Sequence, residues 1–209
     1  VNCTGQALST VPPDLPADTG ILLLSTNHLA SLSTAAFLPF SKLQDLDLSN
    51  NGLVVLRTGV LLQSLKELTL SHNVLETLPA LQGLPALTRL VVAHNRLVTL
   101  APGAFHTVPQ LQDLDLRGNQ LRTLPREAFS GLRALKDLDL SDNLLEELPR
   151  ELLHDLRKLE IFWLSGNCLR TLPTDFFPEG HIYMYVFLTE NLWHCDCDLR
   201  YLRTWIQQN

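Results

Sequence analysis

The nine residues from Leu111 to Asn119, LQDLDLRGN, return 24 residues later from Leu135 to Asn143 as LKDLDLSDN. Worked outward in both directions, the same frame, LxxLxLxxN, fits eight times in the 209 residues. It ends at Asn27, Asn51, Asn73, Asn95, Asn119, Asn143, Asn167 and Asn191, with spacings of 22 or 24 residues. Its fourth position reads Leu22, Leu46, Leu68, Leu90, Leu114, Leu138, Phe162 and Val186. Its sixth reads Leu24, Leu48, Leu70, Val92, Leu116, Leu140, Leu164 and Leu188. Two residues past the Asn comes Leu in seven repeats, from Leu29 to Leu169, and Trp193 in the eighth.

A fixed period of this length, with one apolar frame, is the mark of a solenoid. Alternation over positions three to five predicts a short strand that sends positions four and six inward. Successive strands pair in parallel about 4.8 Å apart, so eight of them span roughly 34 Å. The Asn side chain offers two donors and an acceptor, enough to satisfy main-chain groups inside each bend. The frame is that of leucine-rich repeats, and the expected fold is an α/β solenoid. A curved parallel β-sheet lines its concave face, with an irregular or short-helical convex side. Phe37, Phe105, Phe129 and Phe177, each ten residues past its Asn, are expected to fill the core near the convex side. The pairs Leu78-Pro79, Leu124-Pro125, Leu148-Pro149 and Leu172-Pro173 open the outer segments. The two 22-residue spacings predict a tighter convex side around Ser71 to Asn95.

A solenoid exposes a core layer at each end and needs caps. Residues 1–18 read as part of an N-terminal cap, 19–192 as the eight repeats, and 193–209 as the start of a cysteine-containing C-terminal cap. In the last, Leu199, Leu202, Trp205 and Ile206 fall at helical spacing. Cys195 and Cys197 are too close for an easy bond to each other. Together with Cys3 they are expected to seek partners outside the chain, while Cys168 suits a small buried thiol. Asn2-Cys3-Thr4 is an N-glycosylation sequon that, with the cysteines, points to the secretory route. The chain opens at Val1 without an initiator Met, as a processed chain or a fragment would.

The net charge of -6 argues against nucleic-acid binding, which needs a basic face. No apolar run is long enough to cross a bilayer, so any membrane anchor is expected outside these residues. No GxSxG elbow, phosphate-binding glycine loop or HExxH helix occurs, and an open arc excludes little water. A non-enzymatic binding domain without cofactors is expected. Strand positions three and five face out of the concave side. They run through Asp45/Asp47, Glu67/Thr69, Arg89/Val91, Asp113/Asp115 and Asp137/Asp139 to Ile161/Trp163 and Tyr185/Phe187. The candidate partner-binding residues are Asp113, Asp115, Asp137, Asp139, Glu160, Ile161, Trp163, Tyr185 and Phe187. Four carboxylates on neighbouring strands suit a basic partner group better than a calcium ion, which would want loop carbonyls as well. His194-Cys195-Asp196-Cys197 reads as cap cysteines rather than as a metal cluster.

Beyond the repeat frame, four stretches carry a narrower resemblance: Val1-Asn2-Cys3, VPPDLPADTGILLL (Val11 to Leu24), LPALQGLPALTRL (Leu78 to Leu90) and NLWHCDCDLRYLRTWIQQN (Asn191 to Asn209). On these the chain resembles the ligand-binding region of the platelet glycoprotein Ib alpha family. The resemblance implies a platelet surface receptor that captures von Willebrand factor under flow. Its concave contacts would fall at strand positions two and three of the later repeats, here Asp113, Asp137, Glu160 and Ile161. Other receptor subunits and the membrane would be engaged through regions outside these residues. The alternative is a soluble or immune-type extracellular repeat protein, such as a plasma leucine-rich glycoprotein or a variable lymphocyte receptor, with another ligand.

Overall fold

The computed structural model describes residues 1–194 and 196–209. Ten three-residue strands follow one another: β1 (Ile21–Leu23), β2 (Ser31–Ser33), β3 (Asp45–Asp47), β4 (Val55–Arg57), β5 (Glu67–Thr69), β6 (Arg89–Val91), β7 (Asp113–Asp115), β8 (Asp137–Asp139), β9 (Ile161–Trp163) and β10 (Tyr185–Phe187). A 3-10 turn spans Thr34–Phe37, and among the described residues one α-helix, α1 (Arg200–Gln208), closes the chain. Eight strands form a single parallel sheet in the order β1-β3-β5-β6-β7-β8-β9-β10. Every pairing is in repeat register: Asp45 faces Glu67, Arg89 faces Asp113, and Asp113 faces Asp137. These strands occupy positions three to five of the repeat frame. A strand sheds one side chain to each face in turn, so the register keeps every central leucine inside.

The core is a stack of identical layers. Leu46, Leu68, Leu90, Leu114 and Leu138 at position four are almost fully buried, as are Leu48, Leu70, Val92, Leu116 and Leu140 at position six. Phe37, Phe105, Phe129 and Phe177 back them from the convex side, with the Phe105 and Phe129 rings stacked at 5.8 Å. Phe176 is buried as well and meets Phe177 edge-on. At the Leu-Pro openings, the carbonyls of Pro125, Pro149 and Pro173 accept the N–H three residues on, which starts the outer turn.

The repeat asparagines do what their donor and acceptor inventory allows. The Asn119 amide donates to the carbonyls of Val92, Leu116 and Arg117, and its Oδ1 accepts from Leu97 N–H at 3.1 Å. The contact to Val92 reaches into the previous repeat, so each Asn ties two turns together. Just before each Asn the backbone is left-handed, at Thr26, Asn50, His72, His94, Gly118, Asp142, Gly166 and Glu190. In the two short repeats that position is histidine, and the His72 and His94 rings stack at 4.5 Å.

The convex side carries an element the repeat frame does not announce. β2 and β4 pair in parallel as a second, two-stranded sheet after the first two asparagine turns. It ends there because the following repeats take a different outer path. In the second of the shorter repeats, Leu81 and Gly83 both adopt positive φ, and the Gly83 carbonyl accepts from Leu62 N–H at 2.8 Å.

At the N-terminal end, Asn2 forms a parallel bridge to Leu23, extending the sheet by one residue. At the other end, Cys197–Leu199 makes a short 3-10 turn into α1. Leu202 is buried and Trp205 stacks on Phe177 at 3.9 Å, whereas Ile206 is exposed. The 3-10 turn and the helix therefore cover the last layer together, through Leu199 and through Leu202 and Trp205, and Ile206 lies beyond the helix's apolar stripe. Tyr183 and Trp193 pack against the same layer. Cys3, Cys168 and Cys197 form no disulfide with one another, and Cys195 lies outside the described residues. No helix among the described residues is long and apolar enough to cross a membrane.

Candidate functional site

The concave face is built from two in-register columns, and they differ in chemistry. The position-five column contains Asp47, Asp115 and Asp139, and each of these turns one oxygen back onto its own strand end. Asp47 accepts from the Ser49 N–H and hydroxyl at 2.9 and 2.6 Å. Asp115 accepts from Arg117 N–H at 2.9 Å. Asp139 accepts from Ser141 N–H at 2.8 Å and from its hydroxyl. This is an Asx turn, in which the carboxylate stands in for a backbone carbonyl and ends the strand. Asp115 and Asp139 thus hold the scaffold with one oxygen and keep the other for solvent or a partner. The Asp-x-Ser spacing at Asp47-Leu48-Ser49 and Asp139-Leu140-Ser141 carries this role in the sequence.

The position-three column is less committed. Asp113 lies 3.9 Å from the Arg89 guanidinium, and both are solvent-accessible. Such an exposed, long ion pair contributes little to stability and can be exchanged for an incoming charge. Asp137, on the next strand, accepts a hydrogen bond from Trp163 Nε1 at 2.9 Å. Among the described residues, the four carboxylates of Asp113, Asp115, Asp137 and Asp139 are not arranged to hold a metal ion.

Burial pushes the Asp137 carboxyl up from 3.8 to about 6; the Trp163 hydrogen bond opposes this, and the charges of Asp113, Asp139 and Asp115 add to it. Burial also raises Asp113, with Arg89 pulling the other way, and raises Asp115 against the Arg117 N–H bond. An aspartate raised above its unfolded value binds its proton more tightly when folded. Its favourable contribution is therefore full below about pH 4 and is lost as pH rises through about 6. Asp137→Asn keeps an acceptor for Trp163 and removes the charge. The expected result is a gain of about 1 kcal/mol at pH 7, discounted for solvent screening, and none at pH 4. Thermal melts of both proteins at the two pH values check this.

Next to the carboxylates stands an aromatic shelf. Trp163 and Phe187, paired in register on β9 and β10, stack at 3.9 Å and 9°. Tyr185 extends the shelf, with its ring 6.1 Å from Phe187, and is 57% exposed. Trp163 is half-buried rather than free, because Phe187 covers one face and Asp137 holds its edge. Ile161 is half-buried between Asp137 and Tyr185 in the position-three column, and Glu160 is exposed beside it. The fold thus gathers all nine candidate residues on four adjacent strands and the residue preceding β9. It adds Arg89 and an Arg117–Asp142 pair at 2.9 Å along one border.

The leucine rich repeat pattern matches residues 20–75, 53–97, 85–145 and 133–180, overlapping along most of the chain. The mouse platelet glycoprotein Ib alpha chain is 50% identical over 211 aligned residues, covering all of this chain and 28% of that protein. The zebrafish leucine-rich repeat-containing protein 3 is 42% identical over 59 residues, 28% of this chain and 22% of its own length. The chain therefore spans less than a third of either relative. Among solved structures, human 5T4 (trophoblast glycoprotein) superposes with a TM-score of 0.81 at 30% identity, over all of this chain and 82% of that one. The chain belongs to the leucine-rich-repeat family and, within it, is a homologue of the platelet glycoprotein Ib alpha chain.

Proposed function

We propose that this chain is the ligand-binding part of an extracellular adhesion receptor that captures von Willebrand factor through its concave face. The observation that carries the reading is the pairing of accessible carboxylates with an aromatic shelf on β7 to β10. Asp113, held only by a long, exposed ion pair with Arg89, and Asp137, which gives one oxygen to Trp163, supply negative charge. Trp163, Phe187 and Tyr185 supply rigid apolar area beside it, the residue types that dominate binding energy at protein interfaces. Such a face suits a partner with a basic patch: charge complementarity steers the encounter and the aromatic shelf slows release. The similarity of this whole chain to part of the mouse platelet glycoprotein Ib alpha chain supports von Willebrand factor as that partner. Membrane anchorage and other receptor subunits are assigned to regions outside these residues, and cap disulfides to Cys3, Cys195 and Cys197.

The test is binding of the chain to the platelet-binding domain of von Willebrand factor from the same species, at low and at physiological salt. Measurable binding that weakens as salt rises is expected, because the carboxylates act partly at long range. A folded protein that fails to bind at either salt concentration rules out von Willebrand factor as the ligand.

A further inference from the structure

We propose that Asn2 carries an N-linked glycan, and that this glycan stands at the N-terminal end of the concave face and covers the carboxylates of β3. The proposal rests on the extracellular reading above. Asn2-Cys3-Thr4 is the only Asn-x-Ser/Thr triplet in the chain. Both Asn2 and Thr4 are exposed. Asn2 Oδ1 accepts from Thr4 N–H at 2.9 Å, and its amide nitrogen takes part in no hydrogen bond among the described residues. The nucleophilic atom therefore points to solvent from a fixed turn.

The backbone decides which way the sugar goes. Val1 carbonyl accepts from Leu23 N–H at 3.0 Å, and Cys3 N–H donates to Leu23 carbonyl at 2.8 Å. Asn2 is thus the parallel partner of Leu23, with its own N–H and C=O turned away from the sheet. Parallel partners point their side chains to the same face. Leu23 pairs with Asp47, Asp47 with Thr69, and the column continues through Val91, Asp115 and Asp139 to Trp163. Among the described residues, Asn2 stands at the start of that concave column. At the strand spacing it lies about 10 Å from Asp47 but roughly 34 Å from Trp163. A bulky polar glycan at this position screens Asp45 and Asp47 and leaves β7 to β9 open. Of the two carboxylate groups on the concave face, only the distal one then remains for a partner.

The transfer uses a lipid-pyrophosphate-linked oligosaccharide. A bond forms between Asn2 Nδ2 and the anomeric carbon, and the bond from that carbon to the pyrophosphate oxygen breaks. The pyrophosphate leaves with the electron pair, and one amide proton passes to a base of the transferring enzyme.

The test expresses the chain, with Asn2→Gln, Thr4→Ala and Thr4→Ser variants, through a mammalian secretory pathway, and analyses protein recovered from the medium by intact mass and carboxylate footprinting. The parent and Thr4→Ser are expected to carry one glycan, and Asn2→Gln and Thr4→Ala none. Labelling of Asp45 and Asp47 should rise severalfold in the two unglycosylated variants, while that of Asp113 and Asp137 stays unchanged. Secreted, folded parent protein with bare Asn2 overturns the modification. A glycan at Asn2 with equal labelling of Asp45 and Asp47 in all variants overturns its placement. Neither outcome touches the concave-face reading, which is measured separately by partner binding.

Discussion

Replacing Asn143 by alanine is expected to lower the unfolding free energy by about 4 kcal/mol, through loss of several hydrogen bonds in a layer that water cannot enter. Asn143 is 4% exposed. Its amide donates to Leu116 carbonyl at 3.0 Å and to Leu140 and Ser141 carbonyls at 3.1 Å, and its Oδ1 accepts from Leu121 N–H at 3.1 Å. Alanine strands those backbone groups at the junction of two repeats, and each buried polar group left without a partner costs about 1–3 kcal/mol. Stacked repeats are stabilised mainly by their neighbours, so the loss spreads beyond one turn. Urea unfolding followed by circular dichroism reads the shift. A change below about 1 kcal/mol would mean that the asparagine column is not what joins the turns.

Gly83→Ala is expected to be nearly as damaging, by about 3 kcal/mol or more, although it adds a single methyl group. A Cβ at Gly83 would lie 2.0 Å from the Val60 carbonyl oxygen, and φ there is +79°. The obstacle is backbone rather than a flexible side-chain end. The Gly83 carbonyl accepts from Leu62 N–H at 2.8 Å, so shifting Gly83 away from Val60 disturbs a hydrogen bond between two outer segments. Gly131→Ala, at φ +84° with open space around its Cβ, is the control: it tests the backbone conformation alone and should cost about 1 kcal/mol. Equal effects of the two substitutions on the urea midpoint would contradict the packing explanation.

The framework was legible in the sequence because its physics is local and periodic. Asn119 and its equivalents mark each turn, and Leu114 with Leu116 mark the buried side of each strand; together these imply the parallel sheet and its register. Features that depend on several turns at once were not legible. The β2–β4 sheet arises from Ser31–Ser33 and Val55–Arg57, segments without alternation long enough to announce a strand. It forms because two repeats of similar outer path lie side by side. The requirement for glycine at position 83 comes from the distant carbonyl of Val60, which nothing in the neighbouring sequence encodes.

For the concave face, the outward positions followed from alternation, but their division of labour did not. Asp115 and Asp139 looked equivalent to Asp113 and Asp137 until their bonds to Arg117 and Ser141 set them apart. The Trp163 indole was expected on the same surface. Its tie to Asp137 and its stack on Phe187 required the register of three strands.

Asp113→Lys combined with Asp137→Lys reverses the charge that the accessible carboxylates of β7 and β8 would offer a basic partner. Neither side chain caps a turn, so the double variant should fold, as circular dichroism would verify. Its affinity for the platelet-binding domain of von Willebrand factor is then measured against the parent at two salt concentrations. A loss on the order of a hundredfold is expected at low salt, with much of the parent's salt dependence gone. Unchanged affinity and unchanged salt dependence in the folded double variant would place the binding surface elsewhere on the solenoid.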